Sequence, residues 1–462
     1  MSKRAFIRSR STTSAAIYVA AMALPAIAAA QSQRPLVLTN ITVVDVLSAA
    51  PQRPATVLIN NGRISGISSD GRLAIPAGAQ VIDGAGKYLI PGLADMHNHL
   101  GSGLPADPPA RGSEDLATLL NWGITTIFCP GITMQNYREV RSAVAANPLK
   151  YPHFYSAGNA FTAEGGFDPS HGQASLRPNT PGEAREQVRA MKTAGVDAIK
   201  IIMDSGASGG RPAKVLLKPE IYGAIIDEAH KLGLKAVVHV PALEDAKAVL
   251  RSGADGLIHA VYSDRVDGEF LQLIKQNHAF YMSTSALEED MSGAAAWVAR
   301  LADLDDRGVV PASSYAAFRQ PEVLEQIRTR LGVHPKEMIG YVRWNLRAVH
   351  DAGIPVITGT DTGVTGIIRG IASLMELVLH VEAGLTPRET LRAATYESQR
   401  MLGQEREVGT VEVGKIADLV MLDANPLEDI RNVRRVNRVI RGGVVTVVRA
   451  TAITSRSPKG LD

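Results

Sequence analysis

The chain has a single cysteine among 462 residues and little net charge, and beyond its first 30 residues it has no apolar run of membrane-spanning length. One cysteine forbids an intramolecular disulfide and so excludes a disulfide-framed miniprotein. With 45% hydrophobic residues the chain is also too apolar to be a disordered one. At about 100–200 residues per domain, the length suits one large α/β domain plus a satellite, or two to three ordinary domains. A formal charge of +3 and a pI near 8.8 hint at an anionic partner.

That hint belongs to the leader. Residues 1–30 carry Lys3, Arg4, Arg8 and Arg10 without an acid, then an apolar stretch from Ala15 to Ile27, then Ala28-Ala29-Ala30 before Gln31. This order describes a secretory signal peptide cleaved near Ala30. The alternative is an uncleaved anchor, but the stretch is shorter than the roughly 20 residues a spanning helix needs. Removing it leaves 45 basic against 46 acidic residues. The expected protein is therefore periplasmic or secreted, with no nucleic-acid partner and no stable membrane insertion after cleavage.

Two β-rich margins flank a long middle. In residues 31–90 short strands are expected at Leu36–Leu38, Ile41–Val44, Ala55–Ile59, Arg63–Ile67 and Gln80–Asp83, with a hairpin turn at Asn60-Asn61-Gly62. In 408–462 they are expected at Val408–Val411, Leu419–Leu422, Val433–Ile440 and Val444–Val448, followed by a tail. Neither margin can bury a sheet on both faces alone, so the two ends are expected to share one small β-sandwich. Between them, in 91–407, candidate strands end near Met96, Pro130, Ser156, Ile201, His239, Ala260, Ser283 and Asp361. Helical patterns such as Pro181–Ala194, Lys218–Leu232 and Leu243–Ser252 lie between them. Eightfold alternation predicts an α/β fold, a TIM-like (β/α)8 barrel, with a doubly wound sheet as the alternative. Residues 284–335 form an insertion on the loop side, expected to be helical at Ala294–Leu304 and Glu322–Leu331.

A barrel would aim several polar residues at one mouth. His97 and His99 alternate at period two, so both leave one face of a strand end and can grip one ion. His239 and His259 each end an apolar run, as do Asp361 and Lys200. Each has an ordinary reading taken singly. A strand-end His is more commonly structural, a Lys after an apolar run snorkels to solvent, and Asp in Gly-Thr-Asp-Thr-Gly is a common turn former. Their joint placement at the ends of five predicted strands points instead to a metal site. Imidazole and carboxylate ligands suit Zn²⁺, with Co²⁺, Mn²⁺ or Ni²⁺ as alternatives. Cys129, within an apolar run, reads as a small buried hydrophobe.

The run from Val81-Ile82-Asp83-Gly84 through Leu89-Ile90-Pro91-Gly92-Leu93 to the HxH resembles the barrel entry of the amidohydrolase superfamily. Gly409-Thr410-Val411-Glu412-Val413-Gly414-Lys415-Ile416-Ala417-Asp418-Leu419-Val420 resembles its return into the terminal domain. Within the superfamily the chain is similar to the imidazolonepropionase-like and prolidase-like (Xaa-Pro dipeptidase-like) hydrolases. The resemblance implies two divalent metal ions, with His97, His99 and Asp361 holding the more buried one and His239 and His259 the more exposed one. Lys200, N6-carboxylated by CO₂, would bridge them. It further implies a hydroxide bridging the ions as nucleophile, with Asp361 as proton shuttle, and hydrolysis of an amide- or peptide-type C–N bond in a small peptide or N-acyl amino acid. Tyr262, three residues after His259, matches a family position that stabilises the oxyanion; an ordinary half-buried loop Tyr is the alternative. A homo-oligomer is implied as well.

One departure bears on substrate. Prolidase-like relatives place a His after the Gly-Gly pair that follows the third strand, whereas here Gly165-Gly166 precedes Phe167, which suggests an apolar or aromatic substrate group. His171 is a second candidate for that role, beside the reading of a solvated loop His. Arg211 is a candidate for a substrate carboxylate, beside that of a solvent-facing Arg. Alternative functions are a carbamate or phenylurea hydrolase on the same site, a mononuclear deaminase, and a non-catalytic binding protein. Relatives of the deaminase type lack the bridging Lys and carry a catalytic Glu shortly after the fifth-strand His. Here Glu244 instead falls on the expected next helix.

Overall fold

The computed structural model describes residues 34–49, 53–70, 72–100, 112–168, 174–206, 213–310, scattered positions in 312–325, 336–363 and 367–447. The leader with its cleavage point, His171, Arg211, most of the expected Glu322–Leu331 helix and the tail lie outside the described residues. Among the described residues, no helix is long and apolar enough to cross a membrane.

The chain opens with strands β1 (Leu36–Val43), β2 (Pro54–Asn60), β3 (Arg63–Ser68), β4 (Gln80–Asp83) and β5 (Tyr88–Pro91). It closes with three more from the far end, given below. The expected strands at Leu36–Leu38 and Ile41–Val44 are one strand with a bulge between Leu38 and Ile41, where Asn40 takes φ 55°. Asn61 and Gly62 turn the β2–β3 hairpin with φ 48° and 77°, the left-handed pair that matches strand twist.

The middle supplies parallel strands: β6 (Leu93–Asp95), β7 (Ile124–Cys129), β8 (His153–Ser156), β9 (Ala160–Phe161), β10 (Ser175–Leu176), β11 (Ala198–Ile202), β12 (Lys235–His239), β13 (Gly256–Ile258), β14 (Phe280–Met282) and β15 (Val356–Ile357). The eight expected strands are all present. They pair as two parallel sheets, β6-β7-β8 and β10-β9-β11-β12-β13-β14-β15, and not as one closed ladder. Backbone bonds outside the ladders join the sheets at both seams, among them Asp197 N–H to the Ser156 carbonyl (2.8 Å) and Met96 N–H to the Thr358 carbonyl (2.9 Å). The ladder stops at the second seam because β6 and β15 are only three and two residues long. Beyond them the backbone turns over to present side chains.

Helices cover the outer side. The longer ones are α1 (Gly112–Leu119), α2 (Met134–Ala146), α3 (Pro181–Ala194), α4 (Pro219–Lys231), α5 (Leu243–Arg251), α6 (Gly268–Gln276), α7 (Ser285–Leu304), α8 (Lys336–Asp351) and α9 (Ile371–Glu382), followed by short helical segments at Pro387–Arg392 and Ser398–Met401. α3 matches its expected span because its ends are written locally. Thr180 accepts from Glu183 N–H, Pro181 occupies the first turn, and Gly195 closes the helix at φ 85°. α7 carries the insertion and begins nine residues before the expected Ala294, with a break at Gly293.

The closing strands β16 (Leu419–Leu422), β17 (Val436–Arg441) and β18 (Val444–Val447) extend the opening strands into one eight-stranded sheet, β18-β17-β16-β5-β1-β2-β3, with β4 on β1. The two chain ends thus share one hydrogen-bonded sheet as expected, whereas the expected sandwich of two sheets is not seen in its topology among the described residues. Val408–Val411 forms no strand; Gly409 there has φ 94° and packs on Gln399. β16 is buried on both faces. Leu419 and Met421 join the core of the terminal sheet, whereas Val420 and Leu422 join the large core around the parallel strands. Alternation at period two therefore fastens one unit to the other.

Candidate metal centre at the strand ends

The C-terminal ends of β6 and β15 are laced together. Asp361 N–H donates to the His97 carbonyl (2.7 Å) and His99 N–H to the Thr362 carbonyl (2.6 Å). Asp361 itself sits at φ 59° and His259 at φ 91°, left-handed values that a non-glycine residue holds only where its surroundings over-determine it.

These turns bring four imidazoles into a row. Successive ring centroids lie 5.1 Å apart for His99–His97, 4.6 Å for His97–His259 and 4.2 Å for His259–His239. Phe167 continues the row at 5.7 Å from His239. Asp361 lies between the two pairs: Oδ1 is 3.2 Å from His97 Nε2 and 3.1 Å from His99 Nε2, and Oδ2 is 3.9 Å from His259 Nε2. Lys200, on β11, projects from the same interior face as Ala198 and is buried with no hydrogen bond or ion pair to the described residues.

The first three donors fit a cation. His97 Nε2 and His99 Nε2 are 3.2 Å apart, so with Asp361 Oδ1 they form a nearly equilateral triangle of edge 3.1–3.2 Å. Four ligand atoms at about 2.0–2.1 Å from a tetrahedral ion stand about 3.4 Å from one another. The His99 tautomer is set for this, since Nδ1–H donates to the Gly131 carbonyl at 2.9 Å and leaves the Nε2 lone pair facing inward. Asp361 Oδ1 is buried and has no hydrogen bond of acceptable geometry among the described residues. Three lone pairs converge there, an arrangement that needs positive charge at its centre.

The titration behaviour follows from this. Burial pulls His97 and His259 well below the usual imidazole value. Burial also opposes charge on His99, but the proximity of Asp361 and Cys129 outweighs it and brings it to about 10. Burial alone would raise the Asp361 carboxyl, yet the surrounding imidazoles hold it well below the carboxylate range. Burial draws Lys200 down to about 7, against the pull of Asp361 and Cys129.

Several partners escaped sequence reasoning. Asp204 accepts from His239 Nε2–H at 3.1 Å, which leaves His239 Nδ1 as the free lone pair. His259 is fixed at the opposite nitrogen, with Nδ1 2.9 Å from Thr284 Oγ1. Asp95 accepts from Ser373 Oγ (2.8 Å), Thr360 Oγ1 (2.8 Å), Asn98 Nδ2 (3.1 Å) and the N–H groups of His97 and Thr360. It is the post around which the HxH and Asp361 segments are tied. The only available signal was its place two residues before His97 at the end of an apolar strand. Cys129 is buried as expected, but its thiol interacts with His99 at the edge of the site. Tyr262 is buried in the loop after β13, its N–H bonded to the Pro241 carbonyl, which places it between the His239 and His259 loops. Glu244 is an exposed member of α5 paired with Lys247, so no deaminase-type Glu follows His239 into the site.

A family model described as the amidohydrolase family matches residues 88–446. Ochratoxinase of Aspergillus niger is 25% identical over 401 residues, covering 77% of this chain and 75% of its own. A candidate prolidase from Bifidobacterium longum superposes with a TM-score of 0.72 at 28% identity, covering 90% of this chain and 95% of that one. A Xaa-Pro dipeptidase with methionine bound in its active site superposes at 0.71 with 24% identity, covering 89% and 100%.

Proposed function

The chain belongs to the amidohydrolase family, and from that premise we propose that it is a two-cation hydrolase of an amide- or peptide-type C–N bond in a small molecule. The observation that carries the proposal is the convergence of the four-imidazole row and Asp361 on one strand-end mouth, above a buried Lys200 in the middle of β11 that interacts electrostatically with Asp361. In this reading the two parallel sheets act as the family's barrel, with its mouth at their C-terminal ends.

His97, His99 and Asp361 would hold one divalent cation, zinc being the expected ion, and His239 Nδ1 with His259 Nε2 a second. Bound cations supply Lewis acidity and acidify water. Lys200 supports the pair of ions by becoming a carbamate. An amine whose ammonium form is already disfavoured by burial adds CO₂ through its nitrogen as the free base, forming the N–C bond and releasing one proton, and the resulting anion suits a site of excess positive charge. Asp361, ionised and placed between the two imidazole pairs, is positioned to accept a proton from the attacking water and pass it to the leaving amine. Asp204, Thr284 and Gly131 hold the rings in the tautomers that aim lone pairs inward. Phe167, against His239, favours a substrate with an apolar or aromatic group beside the scissile bond.

Residues 1–30 support export as part of the same reading, with an N-terminus at Gln31 to be found by mass spectrometry of the mature protein. Function is tested by a hydrolysis screen over Xaa-Pro and other dipeptides, N-aroyl amino acids, aryl carbamates and phenylureas with zinc- and cobalt-loaded protein. Turnover of the N-acyl or peptide members supports the proposal. Turnover confined to carbamates or ureas moves the substrate class, and deamination without C–N hydrolysis overturns it.

A further inference from the structure

Helix α7 is capped from outside itself. Its N-cap residue, Thr284, makes no side-chain hydrogen bond to the helix. A threonine in that position ordinarily accepts an N–H of the first turn. Here Thr284 Oγ1 lies 2.9 Å from His259 Nδ1 instead. The N–H groups it leaves are taken by Glu376 of α9: Ser285 N–H donates to Oε1 at 3.0 Å and Ala286 N–H to Oε2 at 2.7 Å. The Ser283 hydroxyl also donates to Glu376 Oε1 (2.8 Å), and His380 Nε2, one turn along α9, stands 3.1 Å from Ser283 Oγ and 3.1 Å from Glu376 Oε1.

The same cluster reaches His259 from a second side, because Ala260 N–H donates to the Ser283 carbonyl at 3.0 Å. Ser283, Thr284, Glu376 and His380 are all buried, so no solvent water substitutes for these bonds. Thr284 and His259 face each other with φ of 46° and 91°. Two left-handed non-glycine residues in contact mark a place where surrounding bonds impose the geometry.

We infer that Glu376 is a positioning residue for the metal centre: its carboxylate caps α7 in place of Thr284, and this frees the threonine hydroxyl to fix His259. The inference rests on the two-cation reading above. Without the carboxylate, the N–H groups of Ser285 and Ala286 lose their partner, and Thr284, as the N-cap residue, carries a hydroxyl of the type that turns back to cap a first turn. His259 then loses the partner that fixes its tautomer. Glu376 touches neither the cation nor the substrate in this scheme and acts through Thr284.

The test is retention of cations by the loaded full-length protein, titrated with a chromophoric chelator, in E376Q, T284V, T284S and the E376Q/T284V double variant. E376Q and T284V are each expected to weaken the more weakly held ion by about 10- to 100-fold, the usual cost of removing an outer partner of a ligating His. T284S keeps wild-type affinity because it keeps the hydroxyl, and the tighter ion is unchanged throughout. In the double variant the loss matches T284V alone, since both changes break one linkage. The melting temperature, by contrast, falls with E376Q in either background, because the helix cap is lost in both. Should E376Q fail to fold, E376D, which keeps the charge and shortens its reach, takes its place. Wild-type affinity in T284V, or an equal loss from E376Q with and without Thr284, overturns the inference. A wild-type protein that binds no transition metal fails the two-cation reading itself, whereas two ions held normally by E376Q fail this inference alone.

Discussion

His239 and His259 face one another at 4.2 Å yet are anchored through opposite ring nitrogens, His239 through Nε2 to Asp204 and His259 through Nδ1 to Thr284. A histidine presents either nitrogen to an ion, and the hydrogen bond on the other nitrogen decides which. Asp204 is buried and also accepts Gly206 N–H at 2.6 Å, so its orientation is fixed before any ion arrives. Asp204→Asn keeps the shape but allows the amide NH₂ to face His239 Nε2, which disfavours the tautomer required. The expected outcome is a loss of about tenfold in affinity for the weaker ion with secondary structure unchanged, measured by chelator competition and circular dichroism. The six proposed ligand positions are legible in sequence because His239, His259 and Asp361 follow short strand-like runs, His97 and His99 alternate, and Lys200 is a charge set among the apolar residues of β11, where the structure places it mid-strand and not at the strand end. Asp204, Asp95 and Glu376 are not legible in that way. Their partners lie up to 278 residues away, as for Ser373 and Asp95, and only the folded chain supplies the contact.

At the level of elements, the site depends on two strand ends that stop early. β15 is two residues long, and the chain then runs through Thr358, Gly359 and Thr360 against the HxH segment. Gly359 permits this approach: a Cβ there would stand 2.8 Å from His97 Cβ, 2.9 Å from His97 N and 2.4 Å from Met282 Sδ. Gly359→Ala forces the β15 turn away from His97. It should destabilise the protein by about 1–3 kcal/mol, as overpacking does, and weaken the ion held by His97, His99 and Asp361, whereas Gly223→Ala, in open space without a positive φ, leaves that ion in place. Calorimetry and metal titration of the two variants check this. The elements themselves follow largely from local rules. α3 is written by its caps and both glycine hairpins by their turn residues, Asn61-Gly62 and Gly442-Gly443. The expected strand at Val408–Val411 fails because an apolar pattern does not register that Gly409 must pass close to Gln399 with a positive φ.

Across the whole molecule, the two chain ends are bound to the parallel strands by a buried charge network. Arg441 Nη1 spans both oxygens of Asp418 (2.9 and 3.0 Å), His153 Nε2 reaches Oδ2 at 2.7 Å, and Gly442 N–H reaches Oδ1 at 2.7 Å. Arg441 Nε further donates to the Tyr151 carbonyl, so β16, β17 and the start of β8 meet at one carboxylate. Burial works against the Asp418 charge, but His153 and Arg441 outweigh it and hold the carboxyl below its ordinary 3.8. A carboxyl depressed in the folded state stabilises the fold fully above its unfolded value, and that contribution disappears as pH falls through the folded one. Asp418→Asn should therefore cost about 3–5 kcal/mol at neutral pH, where it strands Arg441. It should also lose less further stability than wild type below pH 3.8. Denaturant unfolding at neutral and acid pH reads both effects. Sequence resemblance marked Asp418 within its motif, but its clamp on Arg441 and His153 belongs to the assembled fold.

The central claim is that two divalent cations share this mouth through Lys200, and the most direct measurement is metal content per chain in wild type and Lys200→Ala, each loaded with zinc in the presence of bicarbonate and then desalted. The account predicts about two equivalents in wild type and no more than one in Lys200→Ala, with C–N hydrolysis lost by at least about 100-fold and partly restored by a short carboxylic acid. Equal metal content and undiminished turnover in Lys200→Ala would contradict it.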